Sequence, residues 1–232
     1  KYGVGLNNID LDACSDRNVK IGWTGGVNKT SVAEMVIGNS ISLLRNLYQS
    51  STLLSDGTWR KDGGEQLTGK TVGIIGVGFI GKELVRLLKP FNCDILVNDV
   101  IDQDTYYLDH GLINASKEDI FRRCDVITIH TPLTNETKHL INKSALDLMK
   151  SNAIVLNTAR GGIIQEDDLF EALTSNKIKA AAIDVYEEEP PTNLDLLKLP
   201  NLICTPHIGG NAKEAVLAMG MSAIGHLISY KS

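Results

Sequence analysis

The stretch KTVGIIGVGFIG, residues 70–81, limits what this chain can fold into more than any other part of it. Residues 70–77 form an apolar run that predicts a buried strand, and the amphipathic segment KELVRLLKPF that follows predicts a helix. Between them lies a G-x-G-x-x-G turn made by Gly76, Gly78 and Gly81. Glycines at these places permit a tight turn, close approach of the backbone to a diphosphate, and close packing of the helix on the strand. The stretch therefore predicts a dinucleotide site.

Apolar runs and amphipathic segments continue to alternate along the chain. After the first strand, further strands are predicted at 93–99, 125–130, 153–159, 179–185 and 201–206, with helices between most of them. This alternation is typical of an α/β fold with a doubly wound parallel sheet, and together with the glycine turn it predicts a Rossmann dinucleotide-binding domain.

The segment ahead of the first strand reads differently. Residues 31–51 predict one long helix, with Ser31 as its N-cap and Glu34 completing a capping box. The first two dozen residues predict a glycine-rich turn, a short helix and a strand, which is too little for a domain.

The residue at the end of the second strand indicates which dinucleotide binds. Asp99 lies 18 residues after Gly81, where a carboxylate accepts hydrogen bonds from the adenosine ribose and repels a 2′-phosphate. Residues 100–102 offer no Arg or Lys to hold such a phosphate. The expected cofactor is therefore NAD and not NADP.

Three further features follow predicted strands, at the edge where such a sheet presents its ligand site. Arg160 follows a strand directly, and its planar guanidinium suits a carboxylate, although a surface salt bridge is the alternative. The run Glu187–Glu189 could be a solvated loop, and the residues alone do not select the member that matters. His207 could pack structurally or transfer a proton. Together with the glycine turn they favour a catalytic site.

Composition excludes several other classes of protein. The net charge of −5 gives no support for nucleic-acid binding, and no apolar run is long enough to predict a membrane span. The four cysteines lie far apart without a C-x-x-C pair, so neither a disulfide framework nor a metal site is expected. Free thiols are typical of the reducing cytoplasm.

Over nearly its whole length the chain resembles the D-2-hydroxyacid dehydrogenase family, and in wording it is most similar to the D-3-phosphoglycerate dehydrogenase branch. The resemblance rests on motifs in the family's order, namely YGVGLNNIDLDA, SVAEMVIG, LTGKTVGIIGVGFIG, HTPLTNETKHLI, LNTARGGIIQEDDL, AAIDVYEEEPP and TPHIGG. It implies hydride transfer between the nicotinamide and C2 of a small 2-hydroxy or 2-oxo acid. It also implies that Arg160 binds the substrate carboxylate and keto oxygen, that Glu189 holds the histidine, and that His207 is the acid/base.

The resemblance implies a wider set of cofactor contacts as well. With the glycine turn they are Val4, Gly76, Gly78, Phe79, Ile80, Gly81, Asp99, Thr131, Thr158, Ala159, Arg160, Asp184, His207, Gly209 and Gly210. A homodimer is implied too, because in the family the helix resembling residues 31–51 and the following loop pack against a partner.

The same comparison predicts how the chain divides. Residues 1–25 are expected to be the end of a substrate domain, 26–206 the NAD-binding domain, and 207–232 a segment returning toward the substrate domain. Since most of that substrate domain is not in this sequence, we expect these residues alone to bind NAD but to turn over weakly. Asn7 stands where Asp is common, a mild change.

Two other functions stay open from the sequence. A non-catalytic, NAD-sensing scaffold or corepressor could keep the same Arg, Glu and His. An L-lactate-type dehydrogenase shares the Arg and His chemistry but fits the order and wording of the motifs poorly.

Overall fold

The computed structural model describes residues 1–6 and 8–231, and the predicted departure at Asn7 lies outside them. The strands of the described residues are β1 Thr71–Ile75, β2 Asp94–Asn98, β3 Ile113–Asn114, β4 Val126–Ile129, β5 Ile154–Asn157, β6 Ala180–Ile183 and β7 Leu202–Cys204. The helices are α1 Leu11–Asp16, α2 Lys29–Leu44, α3 Leu47–Ser55, α4 Phe79–Leu88, α5 Asp104–His110, α6 Lys117–Arg123, α7 Lys143–Leu148, α8 Glu166–Thr174, α9 Leu194–Leu197 and α10 Lys213–Lys231. A 3₁₀ turn, Lys89–Phe91, follows α4.

The strands form one parallel sheet in the order β3-β2-β1-β4-β5-β6-β7. Its inner strands are buried along almost their whole length because helices cover both faces. One core lies under α6, α7 and α8, and the other lies under α2 and α4. The prediction of a doubly wound parallel α/β sheet is confirmed.

The register of the sheet brings the carboxyl ends of its strands to one edge. Ile75 pairs with both Asn98 and Ile129, and Asn157 pairs with both Ile129 and Ile183. The residues that follow these strands therefore lie side by side, which is where an α/β sheet binds its ligand.

The single helix predicted over residues 31–51 is wrong. α2 ends at Leu44, and Asn46, in the left-handed conformation at φ 54°, separates it from α3. The carbonyl oxygen of Leu44 accepts hydrogen bonds from Glu65 N (2.8 Å) and Lys179 Nζ (3.2 Å). Because partners distant in sequence satisfy this carbonyl, the helix can end there. No local sequence signal predicts this end.

The predicted N-cap is also wrong, because α2 begins at Lys29 and not after Ser31. The Ser31 hydroxyl instead donates to Gly209 O at 2.6 Å and accepts from Ala212 N at 3.3 Å. A tertiary contact has therefore taken the group that a local cap would have used.

Near the start of the chain the short predicted helix is present as α1, but the described residues that follow it form no strand. Instead, residues 22–23 form hydrogen bonds with the first four residues of the chain. Lys1 N donates to Gly22 O (2.7 Å), and Trp23 Nε1 donates to Val4 O (2.8 Å).

Candidate active site

A cleft of about 860 Å³ opens at the carboxyl edge of the sheet. Ten of the residues that the sequence analysis singled out line it, namely Val4, Ile80, Thr131, Thr158, Ala159, Arg160, Asp184, Glu189, His207 and Gly210. The other six, Gly76, Gly78, Phe79, Gly81, Asp99 and Gly209, are not among the residues that line it. The fold thus brings together residues that are far apart in sequence.

The glycine turn needs its glycines at the first and third positions. Gly76 has φ +97°, and a Cβ there would lie 2.6 Å from His130 O. A Cβ on Gly81 would overlap Gly76 O, so this glycine lets α4 pack against the turn. Gly78, at the N-cap of α4, has open space where a Cβ would lie. Backbone N–H groups at the start of α4 are therefore accessible to an anion.

Asp99 lies at the end of β2, beside the glycine turn. Its Oδ2 accepts from Val77 N at 2.6 Å, and its Oδ1 accepts from Ile101 N at 2.9 Å. Each carboxylate oxygen has a further lone pair, so these bonds orient the carboxylate and leave it able to accept from ribose hydroxyls. Phe79, the first residue of α4, is 61% exposed and lies against Gly25 and Gly26.

His207 and Glu189 form a direct pair. His207 Nδ1 lies 2.8 Å from Glu189 Oε2, and both side chains are partly exposed. The other two glutamates of the run contact different groups, since Glu187 lies 3.4 Å from His139 Nε2 and Glu188 accepts from Thr192 Oγ1. The geometry therefore identifies Glu189 as the partner of His207, a choice among the three glutamates that the sequence pattern alone did not make.

Asp184 holds the loop that carries His207. Its buried carboxylate accepts from Thr205 Oγ1 at 2.6 Å, from Ile208 N at 2.8 Å and from Gly209 N at 2.7 Å. His207 itself has φ +53°, a conformation that is rare outside glycine. Because bonds on both sides of His207 converge on one carboxylate, the loop is fixed where the imidazole faces the cleft.

Arg160 is positioned by the end of β5. The buried Asn157 accepts from Ala159 N (3.1 Å) and donates to Arg160 O (2.9 Å), which fixes the turn after the strand. Arg160 Nη1 donates to Ala159 O at 2.6 Å, and the guanidinium has no other partner among the described residues. A Cβ on Gly161 would overlap Tyr186 O, so only glycine allows the chain to pass this close to the residues after β6.

Four buried side-chain atoms that line the cleft have no hydrogen-bond partner within the described chain. They are Asn28 Oδ1, His130 Nδ1, Thr131 Oγ1 and Thr158 Oγ1. A buried polar atom without a partner costs about 1–3 kcal/mol, so a ligand that supplies polar groups here would recover that energy. Together with the glycine turn and Asp99, these atoms fit a dinucleotide lying along the strand ends.

Sequence reasoning named Thr131 and Thr158 but missed Asn28 and His130. Asn28 was not considered because the N-cap of the helix was expected three residues later, at Ser31. His130 carries the same signal that singled out His207, a histidine just after a predicted strand. Burial lowers the pKa of His130 to about 4, so its imidazole is neutral at physiological pH.

Within the residues that the structure describes, no group of three or more His, Cys, Asp or Glu side chains could hold a metal ion. In the same part of the chain no helix has the length and apolar character needed to cross a membrane.

Known proteins match the chain over almost its whole length. It is 40% identical over 224 residues to D-3-phosphoglycerate dehydrogenase of Methanocaldococcus jannaschii, which is 95% of this chain and 43% of that protein. It is 37% identical over 229 residues to hydroxypyruvate reductase of Thermotoga maritima, which is 97% of this chain and 74% of that protein. The chain thus spans less than half of the first relative and about three quarters of the second.

The fold also matches a solved structure. The crystal structure of D-lactate dehydrogenase from Aquifex aeolicus, complexed with NAD and lactic acid, superposes with a TM-score of 0.90 at 26% identity. The match covers 99% of this chain and 74% of that one.

Residues 37–209 match the family model described as "D-isomer specific 2-hydroxyacid dehydrogenase, NAD binding domain". This range contains the glycine turn, Asp99, Arg160, Glu189 and His207. The chain belongs to the D-isomer specific 2-hydroxyacid dehydrogenase family and carries its NAD-binding domain.

Proposed function

We propose that this chain is the cofactor-bearing part of an NAD-dependent oxidoreductase that interconverts a D-2-hydroxy acid and the matching 2-oxo acid. The observation that carries the proposal is the His207–Glu189 pair, 2.8 Å apart, in the same cleft as Arg160. NADH, when bound, supplies the hydride that C2 of the 2-oxo acid receives.

Arg160 is proposed to bind the substrate. The guanidinium N–H groups that have no partner among the described residues form a planar fork that suits a carboxylate and the adjacent keto oxygen. Negative charge grows on that oxygen as C2 is reduced, and the guanidinium stabilises it more strongly in the transition state than in the ground state.

His207 is proposed to transfer the proton. Because Nδ1 faces Glu189, Nε2 is left to face the cleft and donate its proton to the alkoxide oxygen. Glu189, 2.8 Å from Nδ1, fixes the orientation of the ring. In the oxidation direction the same nitrogen accepts the proton from the hydroxyl group.

The finer proposal is a substrate of the 3-phosphoglycerate type. It is supported by the relative from M. jannaschii, whereas the reductase from T. maritima favours an unphosphorylated acid. The cofactor contacts named from the sequence belong to the proposal as well. They are supported by the Thr131 and Thr158 hydroxyls in the cleft, which have no hydrogen-bond partner in the described part of the chain.

The division of the chain is part of the same proposal. Residues 1–25 and 207–232 are proposed to belong to the substrate side, and their contacts support this. Thr24 Oγ1 lies 2.9 Å from His226 Nε2, and Lys20 Nζ lies 5.6 Å from the Tyr230 ring centroid.

A homodimer in the cytoplasm completes the proposal. Leu47, Tyr48, Leu54 and Trp59, on α3 and the loop after it, are each at least half exposed, which suits a surface covered by a second copy. The four cysteines are free thiols, as a reducing compartment maintains them. Light scattering of the purified protein measures its oligomeric state, and a monomer would contradict the proposed homodimer.

The experiment is NADH oxidation by the complete protein that contains this chain, over a panel of 2-oxo acids that includes phosphohydroxypyruvate, hydroxypyruvate, glyoxylate and pyruvate. We expect turnover, with the highest kcat/KM for the phosphorylated acid. Highest kcat/KM for another acid would retain the reaction and replace the substrate. NADH binding without turnover on any acid would contradict the enzyme and favour the NAD-sensing scaffold.

A further inference from the structure

His130 lies at a place in the cleft that the proposed function has not used. It follows β4 directly, and His130 O lies against Gly76, the first glycine of the turn. Along the sheet edge, Asp99 follows β2, the glycine turn follows β1, His130 follows β4 and Arg160 lies beyond β5. His130 is therefore on the substrate side of the turn that would hold the diphosphate.

Thr128 fixes the imidazole of His130. The Thr128 hydroxyl is fully buried on β4 and lies 3.0 Å from His130 Nε2. With Nε2 engaged, the other ring nitrogen, Nδ1, is buried and has no partner among the described residues. Since the residue lines the cleft, a ligand there is what can satisfy this nitrogen.

The chemistry of the ring selects the kind of partner. Burial keeps the pKa of His130 near 4, so the ring carries no charge at physiological pH. A neutral imidazole offers one N–H and one lone pair, and the hydroxyl of Thr128 can match either tautomer. Such a pair suits a neutral donor or acceptor, such as a ribose hydroxyl or a carboxamide.

We infer that His130 is a cofactor-binding residue held in place by Thr128, and that its Nδ1 contacts a neutral polar group in the nicotinamide half of the bound dinucleotide. The inference deepens the proposed function, since it rests on a dinucleotide lying across this cleft. It does not depend on turnover, because its test is binding.

The test compares the affinity of NADH, ADP-ribose and ADP for the protein by calorimetry. His130→Phe removes both ring nitrogens, and we expect it to weaken NADH by about three- to tenfold, the effect of losing one neutral hydrogen bond. ADP lacks the nicotinamide half, so its affinity should stay within about twofold. Equal weakening of ADP would show general distortion and overturn the inference.

ADP-ribose separates the two sources of the neutral group. It retains the second ribose but not the carboxamide. Weakening of both NADH and ADP-ribose by His130→Phe assigns the contact to a ribose hydroxyl, and weakening of NADH alone assigns it to the carboxamide. Unchanged affinity for NADH in a folded variant would overturn the inference.

Two amide variants identify the nitrogen. Asparagine places its amide near the position of Nδ1, and glutamine places it near Nε2. We expect His130→Asn to keep NADH affinity within about twofold and His130→Gln to resemble His130→Phe. Equal rescue by both would mean that Nδ1 is not the contact. His110→Asn, an exposed histidine on α5 outside the cleft, is the matched control.

Thr128→Val tests the positioning role, and it keeps the inference falsifiable if His130→Phe does not fold. It should weaken NADH about two- to threefold in the wild-type background. In the His130→Asn background it should have no effect, because no ring remains to be held. An equal effect in both backgrounds would contradict a role through His130. A wild-type protein that does not bind NADH would instead refute the proposed function itself.

Discussion

Replacing Asp184 with asparagine changes the one carboxylate on which the His207 loop converges. The substitution preserves shape but removes the charge and turns one oxygen into an NH₂ group. In the native loop Oδ1 accepts from Thr205 Oγ1 and Ile208 N, and Oδ2 accepts from Gly209 N. The amide oxygen of the replacement can keep the first two bonds, but its NH₂ group then points at the Gly209 N–H, whose nitrogen lies 2.7 Å from the native Oδ2. Flipping the amide moves the conflict to Ile208.

The size of the effect follows from these contacts. One buried N–H loses its acceptor, which costs about 1–3 kcal/mol, and two charge-assisted bonds become neutral, which costs about 0.5–1 kcal/mol each. We therefore expect Asp184→Asn to lower the free energy of unfolding by about 2–5 kcal/mol. The loop should also lose its single arrangement, so kcat/KM for the 2-oxo acid should fall as well.

Urea unfolding followed by circular dichroism measures the change. Asp195→Asn is the control, because Asp195 is 85% exposed and its ion pair with Lys198 spans 3.9 Å, so its effect should stay within about 0.5 kcal/mol. If Asp184→Asn is as stable as this control, the loop is not held by Asp184 and the reasoning fails.

Two further predictions concern Glu83 and Gly161. The hydrogen bond from Arg86 is the main cause that lowers the pKa of the buried Glu83 from 4.5 to about 2. Because the folded pKa is the lower one, this stabilisation is complete above about pH 4.5 and is lost as the pH falls toward 2. Glu83→Gln should thus lower the free energy of unfolding by about 1–3 kcal/mol at pH 7 and flatten its decline in acid, measured by urea titration; an unchanged acid profile would contradict this. In Gly161→Ala the new Cβ would overlap Tyr186 O, so kcat/KM for the 2-oxo acid should fall more than about tenfold while ADP affinity is retained. Gly38→Ala is the control, because a Cβ there meets open space in α2, and it should change neither quantity. Equal kinetics of the two variants would contradict the role of close packing at Gly161.

The sheet was predictable from the sequence because its inner strands are buried on both faces and therefore read as continuous apolar runs. β3 was not predicted, since it is two residues long, exposed and at the sheet edge, and α5 and α9 were likewise missed. The end of α2 was missed for another reason. Glu65 and Lys179, which bond to Leu44 O, are far away in sequence, so no local pattern could indicate them.

Part of the site was predictable from residue types and spacing alone. The glycine turn and Asp99 predict a dinucleotide site in this way, whereas Arg160, Glu189 and His207 were selected only through the family resemblance. The network behind them was not foreseeable. Three bonds to Asp184 and the contact from Ser31 depend on how the loop folds back over α2.

The turnover of His207→Ala in the complete protein, with NADH affinity measured on the same sample, tests most directly whether His207 is the proton donor. We expect NADH oxidation with the preferred 2-oxo acid to fall by at least about a hundredfold, the usual contribution of a general acid, while NADH affinity stays within about threefold. Turnover close to the wild-type rate, with the variant folded and NADH bound, would contradict the assignment of His207 as the proton donor.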